Sequence, residues 1–587
     1  MSRALLFVRA VAKRRQQYMQ ARPLSAETSV IRSSGTVMTV EGNMRRSDLV
    51  RTGGLCGVQE PSHACKHDTG TWEVFEPACK GKEQAPTPMT HGLKKSDSAI
   101  VATKPANNGV RASAEPVERR AGPKENSKRQ NRHHAQEWAR LSHAADRVRQ
   151  AAKRKPRERL VALLHHVNEQ TLHRAFLDLR KDAAVGVDGV TWQMYAEGLE
   201  GRLADLKDRV HSGAYRAPPS RRVYIPKESG GKRPLGIASL EDKIVQRAVT
   251  DNILVPIYET EFLGFSYGFR PGRGAHDALD AVTVGIKRRK VNWILDCDIR
   301  GFFDNVDRDW LVRFLEHRIG DKRVLRLVVK WLNAGIMEGV EWSDTGVGTP
   351  QGAIVSPVLA NVFLHYSLDL WFHKLWRKRE ARGDAIIVRY ADDFIIGCQH
   401  ESDVKRLQAD LAARLAKFGL SLNEDKTKVV KFGRFARLDW QRRGQAKPGT
   451  FDFLGMTHYC AQTRKGWFQV GRKPSRKRVN RTLKRLRAAL MKRRHLGIRE
   501  LARWTGSVIR GWLNYYAVPG SMRSLSKFRH TVVRLFQRAL RRRSQKDRTT
   551  WSVVHRLADA CWPKLRILHP WPEQRIAVKI QRRSRMP

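Results

Sequence analysis

The stretch IIVRYADDFIIGC, Ile386–Cys398, decides how this chain reads. Two apolar, β-branched runs, IIV and FIIGC, flank a pair of adjacent carboxylates, Asp392 and Asp393. Such runs read as buried strands, and an ionised carboxylate is costly to bury without a compensating cation. Neighbouring side chains of a regular strand point to opposite faces. Both acids can therefore address one site only if YADD forms the tight turn of a hairpin.

A second acidic strand lies upstream in WILDCDIRGFFDNVD, Trp293–Asp307. Asp296 and Asp298 share one face of that strand, Cys297 takes the other, and Phe302 and Phe303 follow. A carboxylate on one strand facing a carboxylate pair on a neighbouring hairpin makes a hard-oxygen site. That suits Mg²⁺, which binds through one or two carboxylates plus substrate phosphates. Two such ions about 4 Å apart clamp the attacking and leaving oxygens of an in-line phosphoryl displacement.

The rest of the chain bounds the reading. Its 587 residues suffice for several domains. Lys and Arg number 112 against 57 Asp and Glu, a formal charge of +55, which calls for a polyanionic partner. Nucleic acid fits, because each neutralised phosphate releases counterions. A membrane partner is not expected, since no apolar run approaches the roughly 20 residues that span a bilayer. The seven cysteines are scattered, as in a reducing compartment without a disulfide framework. The first 26 residues lack any acid; they read as a basic arm, with a mitochondrial transit peptide as the alternative.

Residues 1–135 are rich in Gly, Ser, Thr, Pro and charge, and are expected to be largely disordered. Within them Cys56, His63, Cys65, His67 and Cys79 fit no standard zinc spacing. Helical periodicity with a basic face starts near 136, and short β-like runs alternate with helices over 220–460. This is an α+β pattern. Beyond 472 the chain is helical and strongly basic: Glu500 is the sole acid in 471–520. Aromatics interleave with the cations there (Trp504, Trp512, Tyr515, Tyr516, Phe528, Phe536) and read mostly as core. Arg493 and Arg494, in KRR, and Arg541, Arg542 and Arg543 are the patches expected to meet RNA phosphates.

YADD together with DIRGFFDNVD resembles the palm of reverse transcriptases. Further motifs follow in the order found in group II intron reverse transcriptase–maturases of bacterial type: YIPKESGGKRPLGIASLEDKIVQRAV, FLGFSYGFRPGRGAHDALDAV, GVGTPQGAIVSPVLANVFLHYSLD, LSLNEDKTKVVKFGR and FDFLGMTHY. GWLNYYAVPG resembles that family's maturase domain, and the likeness covers about residues 140–587. The resemblance implies a right-hand polymerase: N-terminal helices and fingers over 136–290, and a palm with an antiparallel sheet over 291–462. A helical thumb/maturase domain over 463–550 and a basic tail over 551–587 complete it.

By position, Asp298 and Asp392 resemble the principal ligands of two Mg²⁺ ions and Asp393 the supporting acid. Lys426 matches the lysine proposed to protonate pyrophosphate. Phe303 stands at the steric gate against a 2′-hydroxyl. Lys227 and Arg233, with Arg221 as a weaker candidate, resemble triphosphate-binding residues, and Gln351, in a TPQG motif taken to open a helix, lies near template and incoming base. Arg300 and Met456 are mild departures. The implied partners are intron RNA, as template and splicing substrate, a DNA primer or target, and dNTPs, in a nucleoid-associated bacterial setting. The alternatives are a splicing factor on a decayed polymerase scaffold, or a retron or CRISPR-associated reverse transcriptase. With Cys561 the sole cysteine after Cys460, a terminal nuclease built on two Cys pairs is not expected. The oligomeric state is not readable.

Overall fold

A computed structural model describes residues 144–577, apart from 227–230, 339–340, 344–347, 349–351, 443, 445–447 and 547–548. The expected disorder of residues 1–135 and the Cys/His group within them lie outside the described residues, as do Lys227 and Gln351.

Among the described residues eleven strands build three sheets. In chain order they are β1 (Ser220–Pro226), β2 (Lys232–Ile237), β3 (Trp293–Asp298), β4 (Ile336–Glu338), β5 (Glu341–Ser343), β6 (Ala385–Tyr390), β7 (Asp393–Cys398), β8 (Lys428–Lys431), β9 (Thr450–Phe453), β10 (Met456–Gln462) and β11 (Phe468–Pro474). The central sheet has the order β6-β7-β3-β8 and is antiparallel throughout. IIVRYADDFIIGC thus folds as the expected hairpin, with Ala391 and Asp392 as its turn. The β1–β2 hairpin extends through β4 and β5, and β9–β11 form a separate meander.

The alternation along the central strands sorts their side chains between two cores. Leu295, Cys297, Phe394, Ile396 and Cys398 belong to one, which holds the N-terminal helices and the helix Ser356–Leu364. Ile294, Val388 and Ile395 belong to the other, shared with the helix Ala275–Arg288, the meander and the C-terminal helices. Asp296, Asp298 and Asp393 lie in phase with this second set, at the end of the sheet where its apolar cover stops.

The helix Ala275–Arg288, assigned from sequence to the fingers side, packs on β6 and β11. The helices Arg476–Lys492, Ile498–Tyr516, Met522–Arg541 and Trp551–Cys561 complete the second core. Trp512, Tyr516, Phe528 and Phe536 are buried there as expected. Of the stretch 551–587 read as a basic tail, Trp551–Cys561 is thus a helix of this core, and the chain after it returns to Ala275–Arg288. Asp280 pairs with Arg472 at 2.6 Å and with Arg575 at 2.7 Å, His569 stacks on His276 at 3.9 Å, and Glu573 meets Lys287 at 2.7 Å. No helix among the described residues is long and apolar enough to cross a membrane.

The catalytic-type hairpin is fixed from below by one ion pair. Arg389 of β6 and Asp369 are both fully buried. Arg389 Nε donates to Asp369 Oδ1 at 2.8 Å and Nη2 to Oδ2 at 2.5 Å, while Nη1 donates to Asn361 Oδ1 at 2.9 Å and to the Ala391 carbonyl at 3.0 Å. Asp369 ends a π-helical segment, His365–Asp369, directly after Ser356–Leu364. The widened turn changes the helical phase by which Asp369 reaches the hairpin. Breaking a buried pair leaves an uncompensated charge, at a cost of about 3–5 kcal/mol. Asp369→Ala is therefore expected to lose that much stability in urea denaturation. Arg389→Met with Asp369→Leu is expected to regain most of it, since apolar replacement of both partners is often near neutral.

Candidate active site

The register of the central sheet assembles the acids. Asp298 is paired directly with Asp393 across β3 and β7, and Asp296 with Ile395, one step further along the same face. Asp392 sits in the turn, after Ala391, whose φ of +58° is held by the Arg389 bond to its carbonyl. The sequence reading named Asp296 but gave it no role. The structure adds it to the cluster, and its i, i+2 spacing from Asp298 was the signal.

The charges interact strongly. Burial first, then Asp296, Asp392 and Asp298, push the Asp393 carboxyl up to about 8, against the opposing charge of Lys426. Asp296 is pushed up to about 7 by burial and then by Asp452 and Asp298, with Lys428 opposing. Asp392 is raised as well, chiefly by burial and also by Asp298; its own backbone N–H and the charges of Arg233 and Arg389 act the other way.

Asp298 is held by the turn after the helix Glu401–Ala416. Asn423 donates its backbone N–H to the Asp298 carbonyl at 2.8 Å and its Nδ2 to Oδ2 at 3.1 Å, and Lys426 Nζ reaches the same Oδ2 at 2.8 Å. Among the described residues no three Asp, Glu, His or Cys side chains already close around one point. The donor set nevertheless fits Mg²⁺, whose sites take one or two hard carboxylate oxygens and are completed by substrate phosphates. Asp298, Asp392 and Asp393 are the residues that would hold it.

The neighbouring candidates divide. Phe303 is half-buried in a short 3₁₀ turn, edge-on to the buried Phe302 at 5.3 Å. Its ring packs in part against the first core and remains partly exposed. Arg233 is exposed on β2, and its charge reaches Asp392. Arg221 donates its Nε and Nη2 to the Val185 carbonyl at 3.1 and 2.8 Å, which ties β1 to the preceding loop. TPQG does not open the helix, which starts at Ser356. Gly352, with φ +110°, passes so close to β2 that a Cβ there would meet the Gly236 carbonyl oxygen at 2.7 Å.

A basic surface lies on the helices Arg476–Lys492 and Met522–Arg541. Between them Arg487, Arg538, Arg541 and Arg542 line a cavity of about 220 Å³ floored by Met491 and Leu535, and none of these arginines has a carboxylate partner among the described residues. Arg494 is exposed. Arg493 instead stacks over Trp504 at 4.7 Å, and Arg543 is half-buried with an unpartnered Nη1.

Residues 225–458 match the family described as reverse transcriptase (RNA-dependent DNA polymerase), and residues 477–558 match the group II intron maturase-specific domain. Protein YkfC of Escherichia coli is 33% identical over a region covering 42% of this chain and 71% of that protein. An uncharacterized 91 kDa protein in the cob intron of Schizosaccharomyces pombe is 29% identical, over 56% of this chain and 47% of its own length. The group II intron-encoded protein LtrA of Lactococcus lactis is 41% identical, over 29% of this chain and 28% of its own length.

Raised carboxyl pKa values mean that the fold binds protons more tightly than the unfolded chain, so stability contributed at low pH is lost as pH rises through the folded values. For Asp393 that window runs from the ordinary carboxylate range, about 4, to about 8. Without divalent cations, Asp393→Asn is expected to melt above the wild type at pH 8 and level with it near pH 4. Adding Mg²⁺ is expected to narrow the gap at pH 8 by raising the wild-type Tm.

Proposed function

We propose, on the premise that this chain belongs to the family of group II intron-encoded reverse transcriptase–maturases, that it copies intron RNA into DNA at the carboxylate cluster. We propose further that its helical domain holds the same RNA in a splicing-competent fold. The observation that carries the reading is the pairing of Asp298 with Asp393 beside the Asp392 turn. A basic helical domain packed on the same core supports it.

In the proposed reaction the primer 3′-hydroxyl gives up its proton to water and its oxygen bonds to the α-phosphorus of a dNTP. The bond from that phosphorus to the bridging oxygen breaks, and pyrophosphate leaves. Two Mg²⁺ ions would supply the positive charge that favours the 3′-oxyanion and steadies the leaving group. The chain's own part is positioning and charge. Asn423 and the β3–β7 pairing fix Asp298, and Arg389 fixes the turn bearing Asp392. Lys426 is the proton donor to pyrophosphate, and Arg233, with Lys227, receives the triphosphate. The exposed part of the Phe303 ring takes the C2′ edge of the incoming sugar, where a hydroxyl would clash. Gln351 is assigned a place near template and incoming base. These partners place the protein with nucleic acid in the bacterial cytoplasm, with mitochondria as the alternative.

The two roles should separate. With an RNA template and DNA primer, the wild type is expected to extend with dNTPs and not NTPs. Asp392→Ala should abolish extension yet still assist splicing of the cognate intron at low Mg²⁺. Phe303→Val should admit NTPs. Arg541→Glu with Arg542→Glu should do the reverse of Asp392→Ala: splicing assistance fails, extension persists, and the salt dependence of RNA binding becomes shallower, by about 0.7 per lost phosphate contact in a plot of log K against log salt. A folded wild type that extends nothing would leave only the splicing role.

A further inference from the structure

Among the described residues three non-glycine positions have positive φ: Phe269, Ala391 and Leu454. The first two meet at the active site. Ser266 bridges Arg389 along the free edge of β6, and the Tyr267 N–H donates to the Arg389 carbonyl at 2.9 Å. Gly268 then passes so near the turn that a Cβ there would lie 2.4 Å from the Ala391 nitrogen. Its carbonyl accepts from Asn361 Nδ2 at 2.8 Å.

Phe269 comes next, with φ +56° and 52% of its surface exposed. A bulky side chain in the left-handed region is an outlier that the surroundings must enforce. Here both neighbours enforce it. Gly268 is wedged against the hairpin, and Arg270 is buried, paired with Glu259 at 2.7 and 2.9 Å and donating to the Leu263 and Ser266 carbonyls at 2.8 Å. The framework thus holds a large apolar ring out in solvent, one residue along the chain from a backbone that touches the Asp392 turn. Core packing does not explain a ring left half in water.

We propose that Phe269 is a stacking platform for an unpaired template nucleotide at the polymerising end. This rests on the polymerase reading above. Stacking on an aromatic ring tolerates every base, because each base has a π-face, and so suits an enzyme that must copy any sequence. Bases within the primer–template duplex already have both faces covered by their neighbours. The incoming sugar is assigned to Phe303. The template nucleotide not yet paired is the partner that still offers an open face.

The test uses the full chain with a primed RNA template, either intact or carrying an abasic site at the first unpaired template position. Phe269→Gly removes the ring while giving the left-handed position to the residue that adopts it most easily, so the variant is expected to melt no lower than the wild type. It is expected to bind the productive template about tenfold more weakly, whereas Phe269→Tyr stays near wild type. The abasic site should cost the wild type about the same factor and cost Phe269→Gly nothing more. Equal binding by wild type and Phe269→Gly, or a full additional abasic loss in Phe269→Gly, overturns the platform. So does a lowered Tm in Phe269→Gly with binding unchanged. A wild type that does not extend the intact template refutes the polymerase reading instead.

Discussion

The geometry of the acidic site depends on a buried cation that no substrate touches. Arg389 spends its guanidinium on Asp369, Asn361 and the Ala391 carbonyl, and each bond fixes a different part of the hairpin's surroundings. The Asp369 pair joins β6 to the helix behind the sheet. The Asn361 bond reaches on, through Asn361 Nδ2, to Gly268 and the segment along the sheet edge. The Ala391 bond fixes the left-handed residue that turns Asp392 back over the strands. A buried ion pair is weak evidence for stability, because its desolvation offsets much of its attraction. Its retention here is better understood as a requirement of position: an apolar pair would fill the space but give the turn no donor.

Above that pair the problem is reversed. Asp296, Asp298 and Asp393 share one face, and their mutual repulsion and burial raise two of the carboxyl pKa values toward neutrality. A chain of formal charge +55 has cations to spare, yet among the described residues Lys426 is the one cation hydrogen-bonded to Asp298. Filling the site with guanidiniums would give a stable salt-bridge network and no vacancy for a divalent ion or a triphosphate. The arginines without carboxylate partners that line one cavity, Arg487, Arg538, Arg541 and Arg542, stand on the outer helices instead. The separation follows from the two chemistries. Phosphate backbones are met by many exposed cations, whereas phosphoryl transfer needs a few charges held without reorganisation.

What was legible in the sequence was whatever obeyed a local period. The strand alternation of IIVRYADDFIIGC and WILDCDIR placed the acids on one face, and the β3–β7 register brought them together. The thumb aromatics were rightly read as core, because their spacing on amphipathic helices left few other places for them. Contacts set by long-range closure were not legible. Arg221 read only as a weaker triphosphate-binding candidate, and nothing local announced its bonds to the Val185 carbonyl, 36 residues away. Asp369 lies 20 residues from Arg389, in a π segment that no helical period announces. The tail after 561 read as basic, but His569, Glu573 and Arg575 face residues near 280, on the far side of the sequence.

That tail bears on how independent the two proposed roles can be. Asp280 sits on a helix that packs on β6, and it is gripped at once by Arg472, at the end of the meander, and by Arg575. The same core takes in Ile395 of the catalytic hairpin and Phe536 of the basic helices. The polymerase-like and maturase-like parts are therefore one body in packing, although their chemistry lies on separate surfaces. Substitutions at exposed arginines or at Asp392 change a surface and leave the shared core intact. Substitution of Asp280 leaves Arg472 and Arg575 without their partner beside the shared core and must disturb both roles together. Selection for either activity thus holds the core for the other, and the two can be lost separately only from the outside in.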